Sequence, residues 1–140
     1  MVVDSVANMP GNVEITNISA MGDHHRVLAL EEMISDEPQL VAYAGTALEG
    51  DQYRWIDIHH TEASKGAALL ELKRRMGASQ VICFGDSEND LSMFELADES
   101  YAPENAKPAI KAKATAIIGH HNEDGVARFL RERFRLQDSL

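Results

Sequence analysis

At 140 residues, 44% of them hydrophobic, the chain has the size of one domain or two small lobes and enough apolar side chains for a core. A formal net charge of −10 argues against nucleic acid as a partner, and no stretch approaches the ~20 apolar residues of a membrane span. Cys83 is the sole cysteine, which excludes a disulfide framework; with no basic-then-apolar leader at the amino terminus, a reducing cytoplasm is the expected location.

The charge is unevenly spread. Residues 1–60 carry ten acidic residues against Arg26 and Arg54, whereas residues 61–140 carry thirteen against eleven bases, so two structural units are expected, 1–60 and 61–140. Residues 1–12, with Pro10 and Gly11, show no period and are expected to be loosely ordered. Residues 13–20 alternate weakly and predict a strand. Asp23 is placed to cap a helix over 24–34, with Val27, Leu30, Met33 and Ile34 on one face. Pro38 ends that helix, residues 40–44 read as a strand, and Glu49-Gly50-Asp51 turns into a further strand over 53–58. Tyr53 and Trp55 are expected to pack this small α+β unit.

The second unit changes rhythm. Ser64 precedes a helix over 65–76 whose apolar stripe is Ala68, Leu69, Leu72 and Met76, with Gly77 as its stop. A strand at 80–84, a short helix over 91–96 and a strand at 100–102 follow. Pro103 and Asn105 introduce a helix to about 112, with Asn105 as its expected cap. Residues 115–118 form an apolar strand, and a last helix over 124–134 turns Val126, Phe129, Leu130 and Phe134 inward. Arg128, Arg131, Arg133 and Arg135 read as its solvated face. Strands alternating with helices through short turns predict a parallel α/β layer, whose ligands bind beyond the carboxyl ends of the strands.

Residues 81–91, Val-Ile-Cys-Phe-Gly-Asp-Ser-Glu-Asn-Asp-Leu, end such a strand. The apolar run breaks at Gly85 and delivers Asp86, Glu88, Asn89 and Asp90 within five positions, a group of hard oxygen ligands whose mutual repulsion a cation or solvent would relieve. A solvated loop capping the next helix is the plainer reading. The counterpart is Ser64-Lys65-Gly66, a helix start whose free N–H groups and dipole favour an anion and to which Lys65 adds charge. Together they supply a phosphate–Mg²⁺ site. Lys65 and Asn89 are the candidate phosphate binders and Asp86 a candidate metal ligand. Asp90 is a second candidate ligand, acting through metal-bound water or by supporting the loop. Lys65 and Asp90 are the candidate catalytic side chains. Cys83, inside the apolar run, is expected to be a core residue rather than a nucleophile.

Residues 56–134 resemble the carboxyl-terminal part of a haloacid dehalogenase superfamily phosphatase of the Cof-like sugar-phosphate branch. The resemblance is carried by Ser64-Lys65-Gly66 with Ala68-Leu69, by the segment from Phe84 to Asp90 with Leu91 and Met93-Phe94, by Ala102-Pro103-Glu104-Asn105-Ala106, and by Asp124-Gly125-Val126-Ala127. Residues 13–58 are similar to the closing part of that branch's cap domain. The resemblance implies a partial Rossmann-like parallel sheet preceded by a small α+β cap remnant, Mg²⁺ as cofactor and a small phosphorylated metabolite as substrate. Lys65 matches the family's third motif, Asp86 and Asp90 its fourth, and Asn89 a substrate-contacting position.

The departure lies upstream. Family members open on an apolar strand ending in Asp-x-Asp, whose first carboxylate attacks phosphorus. Val2-Val3-Asp4-Ser5-Val6 imitates the shape but has Val at the second carboxylate. Asp57-Ile58-His59 imitates it with His there, at the family's cap-to-core crossing. Without that strand a parallel edge stays open, so self-association or a partner chain covering the edge is expected. Three readings follow: a phosphatase, an inactive phosphate-binding or regulatory module, or a truncated fragment needing another chain. The paired histidines His24-His25, His59-His60 and His120-His121 lack the spacing of a zinc ligand set. His59 and His60 are the pair best placed to touch a substrate.

Overall fold

The computed structural model describes residues 14–47 and 50–136, and the chain divides between Thr61 and Glu62 into two compact units. The segment 1–12 with its Val2–Val6 imitation, Val13 and Glu49 lie outside the described residues.

The first unit runs β1 (Asn17–Asp23), α1 (His24–Ser35), β2 (Leu40–Ala47) and β3 (Gly50–His60), with its antiparallel strands in the order β1-β3-β2. The Asp23 carboxylate accepts a hydrogen bond from the His25 N–H at 3.0 Å, so α1 starts where that acceptor satisfies an orphan donor. Val27 of α1 packs on Ile56 and Ile58 of the central strand, with Leu30, Ile34, Ala42 and Ala44 around them. Because alternate strand residues face opposite ways, Ile56 and Ile58 under the helix send Tyr53, Trp55, Asp57 and His59 to the other face. Trp55 and Tyr53 therefore do not pack the interior; they are 38% and 42% exposed. The first strand begins at Asn17, opposite His59, because β3 ends at His60 and offers no ladder to earlier residues.

The second unit runs α2 (Lys65–Met76), β4 (Ile82–Phe84), α3 (Leu91–Phe94), β5 (Glu99–Pro103), α4 (Pro108–Lys111), β6 (Ala116–Ile118) and α5 (Gly125–Phe134). Its sheet is parallel in the order β4-β5-β6, which makes the fold α/β and places the three carboxyl ends on one side. Ser64 accepts from the Ala67 N–H at one end of α2, and Gly77 closes the other at φ +60°, a conformation glycine adopts without strain. Cys83, Phe94, Ala102, Ala106 and Ile110 form the core. Phe84, Tyr101 and Phe129 stack over it, with the Tyr101 and Phe129 rings 4.2 Å apart, which fixes α5 on the sheet.

Four sequence expectations are corrected here. Helix α4 starts at Pro108, a residue suited to a first helical position, and Lys107 stands before it; Asn105 instead accepts a hydrogen bond from the His121 N–H at 3.2 Å. The helix expected over 91–96 starts at Leu91, after a 3₁₀ turn over residues 88–90, but ends at Phe94, with Glu95 as its C-cap. Phe134, in the last turn of α5, is 53% exposed rather than buried. In α2, Leu72 is 57% and Met76 76% exposed. Their stripe lines an apolar groove of about 630 Å³ with Leu69, Val81, Ile82 and Phe84, along the strand β4, which among the described residues pairs on one side only. Among the described residues no helix is long and apolar enough to cross a membrane.

Candidate active site

Backbone hydrogen bonds join the carboxyl end of β4 to β5 and to the loop that follows it. The Gly85 N–H donates to the Tyr101 carbonyl at 3.2 Å, and the Lys107 N–H donates to the Asp86 carbonyl at 3.3 Å. The turn that carries Asp86, Asn89 and Asp90 is thus tied to the loop before α4.

Asp90 organises this turn. One carboxylate oxygen, Oδ2, accepts from the Asp86 N–H at 2.9 Å and the Ser87 N–H at 3.1 Å. The other, Oδ1, meets Lys65 Nζ at 2.5 Å, which joins the turn to the start of α2. The Asp90 side chain is only 6% exposed whereas Lys65 is 48% exposed, so the ammonium can turn toward a ligand while the carboxylate stays fixed. Two glycines permit the arrangement. A Cβ on Gly85 would lie 2.4 Å from Asp90 Cβ, and one on Gly66 would lie 2.4 Å from the Ser92 carbonyl oxygen. Chain crossings this close need glycine for its missing side chain rather than for its backbone freedom.

The helix start differs from the expected cluster of free donors. Gly66 N–H donates to Ser92 Oγ and Ala67 N–H to Ser64 Oγ, each at 3.1 Å. The positive charge offered to an anion therefore comes mainly from Lys65. Asp86 is exposed, with one oxygen accepting from Ser87 Oγ at 3.2 Å. Asn89 Oδ1 is buried with no hydrogen-bond partner, a polar atom the protein itself leaves unsatisfied. Glu88 is half exposed and accepts a hydrogen bond from Lys107 Nζ at 2.5 Å; that bond holds its carboxyl below the usual range. Sequence reasoning missed Lys107 and Ser92. Ser92 sits among the quoted motif residues without a polar role that spacing reveals, and Lys107 follows a motif as an ordinary surface lysine would.

A hard divalent cation takes oxygen ligands, often one or two carboxylates with water or substrate phosphate completing the shell. Asp86 meets that demand. Asp90 is already engaged through both oxygens, and among the described residues no three His, Cys, Asp or Glu side chains gather for a metal. These residues do not by themselves make a complete Mg²⁺ site; they offer one exposed carboxylate, that of Asp86. Two further side chains of reactive type are tied into the fold. Asp57 lies in mid-strand of an antiparallel sheet and accepts from Ser19 Oγ at 2.5 Å. Cys83 is 6% exposed, and burial, followed by the Asp90 charge, pushes its thiol up to about 11. Its alkylation by iodoacetamide, followed by mass spectrometry, is expected to be slow at neutral pH and fast once the chain unfolds; fast native modification would contradict this placement.

Known proteins resemble this chain in sequence and fold. A family profile described as haloacid dehalogenase-like hydrolase matches residues 4–130. A 5-amino-6-(5-phospho-D-ribitylamino)uracil phosphatase of Bacillus subtilis is 30% identical over 141 residues, covering 89% of this chain and 52% of the relative. The pyridoxal phosphate phosphatase of Escherichia coli is 36% identical over 88 residues, covering 61% of this chain and 32% of the relative. Among solved structures, a haloacid dehalogenase-like hydrolase of Bacillus subtilis superimposes with a TM-score of 0.77 at 25% identity, over 92% of this chain and 45% of the other. A Streptococcus mutans protein superimposes with a TM-score of 0.74 at 29% identity, over 96% and 49%. The chain spans about half the length of the curated relatives and solved structures it matches over most of its own length.

Proposed function

The chain belongs to the haloacid dehalogenase-like hydrolases, and from that premise we propose that it carries the phosphate-handling half of a phosphatase for small phosphorylated metabolites. The observation behind this reading is the Lys65–Asp90 pair, which ties a helix start to the carboxyl end of a parallel strand and leaves Asp86 exposed beside it. Lys65 holds a phosphoryl oxygen. Asn89 turns its amide toward the phosphate, and Asp90 keeps the lysine and the turn in register. Asp86 is the ligand this chain presents to Mg²⁺, whose charge would offset that of the phosphoryl group.

The reaction implied by the family is attack of an aspartate oxygen on phosphorus with departure of the alcohol, which takes up a proton. Water then attacks the aspartyl-phosphate, releases inorganic phosphate and regenerates the carboxylate. The attacking aspartate belongs on a further parallel strand in the apolar groove beside β4, where Lys65 stands at one end of the lining. That strand comes from outside the described residues, and residues 14–61 act as part of a cap. Relatives named for pyridoxal phosphate and for a phosphorylated ribitylaminouracil make sugar phosphates and phosphorylated ring metabolites the substrates to try first.

The test pairs binding with turnover. In calorimetry with Mg²⁺, inorganic phosphate is expected to bind the chain, and Lys65→Met to weaken it about tenfold. Hydrolysis of sugar phosphates and pyridoxal phosphate by the chain alone is expected to stay near background. It should rise when a peptide bearing an apolar strand ending in Asp-x-Asp is added. Strong turnover by the chain alone, lost in Asp86→Ala, would show that the nucleophile lies within it. Phosphate affinity indifferent to Lys65→Met would remove the site itself.

A further inference from the structure

Two of the sequence motifs take no part in the phosphate handling proposed above: Ala102-Pro103-Glu104-Asn105-Ala106, and Asp124-Gly125-Val126-Ala127 with the loop that leads into it. A side-chain hydrogen bond joins the two. Asn105 Oδ1, beyond the carboxyl end of β5, accepts from the His121 N–H, beyond the end of β6, at 3.2 Å. Because the donor is a backbone amide, the oxygen of Asn105 and not its NH₂ faces that loop.

A tether positions something only if its far end is fixed, and the loop over 119–125 is. The His120 carbonyl accepts from the Glu123 N–H at 3.0 Å and the Gly125 N–H at 3.1 Å. His120 Nδ1 accepts from the Asn122 N–H at 3.1 Å. Gly125 lies so close to the strand end that a Cβ there would overlap the Gly119 carbonyl oxygen. The near end of the tether reaches the candidate site. The Asp86 N–H donates to Asp90 Oδ2 at 2.9 Å, and the Asp86 carbonyl accepts from the Lys107 N–H at 3.3 Å. These two groups flank one Cα, so together they fix both backbone dihedrals of Asp86 and the direction in which its exposed carboxylate leaves the chain. Between the two ends the link is short. The Ala106 N–H closes a turn on the Pro103 carbonyl at 2.8 Å, and Ala106 itself is 4% exposed in the core.

We propose that Asn105 is a positioning residue for the phosphate site. By fastening residues 103–107 to the loop over 119–125, it holds the Lys107 N–H against the Asp86 carbonyl. Through the Asp86 N–H it steadies the Asp90 carboxylate that carries Lys65. The inference rests on the phosphatase reading for what the site binds, and not for the linkage. The residue type fits the task. An amide accepts the His121 N–H without charge, whereas an aspartate would add a carboxylate beside a turn that already bears Asp86, Glu88 and Asp90, against an anionic ligand.

The test uses the full chain, with NMR and amide exchange for the linkage and calorimetry with inorganic phosphate for the site. Asn105→Ala is expected to speed exchange at the His121 and Lys107 amides about tenfold and to displace the Asp86 amide peak. Phosphate affinity should fall about fivefold, the worth of one neutral hydrogen bond, while exchange at Ile82, Cys83 and Phe84 stays as in the parent. Asn105→Asp keeps the acceptor, so the exchange rates and the Asp86 peak should return. Its phosphate affinity should stay low in dilute buffer and approach the parent's as salt screens the added charge. An Asp86 peak and a phosphate affinity that both ignore Asn105→Ala would overturn the proposal. So would exchange rising equally across β4, which marks general loosening, or an Asn105→Asp chain that exchanges like Asn105→Ala. The two readings fail separately. Phosphate binding that Lys65→Met weakens and Asn105→Ala does not would leave the Lys65 site standing and remove this role. A parent chain that binds no phosphate would remove the Lys65 site, and the Lys107 and Asp86 amides would still decide the linkage.

Discussion

Replacing Asp90 by alanine is expected to lower the unfolding free energy of the second unit by about 3 kcal/mol, the range for removing one partner of a buried, hydrogen-bonded charge. The carboxylate is 6% exposed and serves three donors: Lys65 Nζ and the N–H groups of Asp86 and Ser87. Lys65 is half exposed and recovers water, so little of the loss comes from the ion pair itself. Most of it comes from the two amide donors left without an acceptor beneath the turn, at about 1–3 kcal/mol each before relaxation. Asp90→Asn keeps an oxygen for the amides but turns a donor toward Lys65, so its expected loss is smaller, about 1 kcal/mol. Trp55 reports the first unit, so the transition is followed by amide exchange at Ile82, Cys83 and Phe84 in increasing denaturant. An Asp90→Ala chain within half a kilocalorie of the parent would show that the turn is held by something other than this carboxylate.

The sequence made some of this arrangement legible and concealed the rest for identifiable reasons. Helix α2 was readable to the residue because Ser64 is a start signal at one end and Gly77 a stop signal at the other. Helix α1 was readable through the Asp23 cap. The strand Gly50–His60 was readable as a strand but not as to which face is covered, since a period of two is symmetric between faces. Only the packing of Val27 on Ile56 and Ile58 breaks that symmetry, and it sends Trp55 outward. The α2 stripe illustrates the opposite limit. Apolar periodicity says that Leu72 and Met76 seek a neighbour, not that the described residues provide one, and both line the open groove beside β4. Within the site, Lys65, Asp86, Asn89 and Asp90 could be chosen by residue type and spacing. The direct Lys65–Asp90 contact and the Ser92 acceptor depend on how closely α2 approaches α3, which no local pattern encodes.

That approach depends on Gly66, and Gly66→Ala tests it most sharply. In an isolated helix the change would stabilise by about 1 kcal/mol, because alanine is the better helix former. Here the added Cβ would meet the Ser92 carbonyl oxygen at 2.4 Å, its carbon at 2.7 Å and Ser92 Cβ at 2.9 Å. The first two contacts are backbone, so no rotamer change relieves them and α2 must move off α3. Overpacking of this kind costs about 1–3 kcal/mol, which offsets or exceeds the helix gain and leaves a net loss of up to about 2 kcal/mol. Moving α2 also separates Gly66 N–H from Ser92 Oγ and Lys65 from Asp90, so phosphate affinity is expected to fall with stability. Two controls separate steric from electronic causes. Ser92→Ala removes the hydrogen bond but keeps the spacing, and should cost about 1 kcal/mol while retaining phosphate binding. Gly77→Ala places a side chain in open space at φ +60° and should cost about 1 kcal/mol of backbone strain with no change in phosphate affinity. If Gly66→Ala were as stable as the parent chain and bound phosphate equally well, Lys65 would owe its position to something other than the α2–α3 contact.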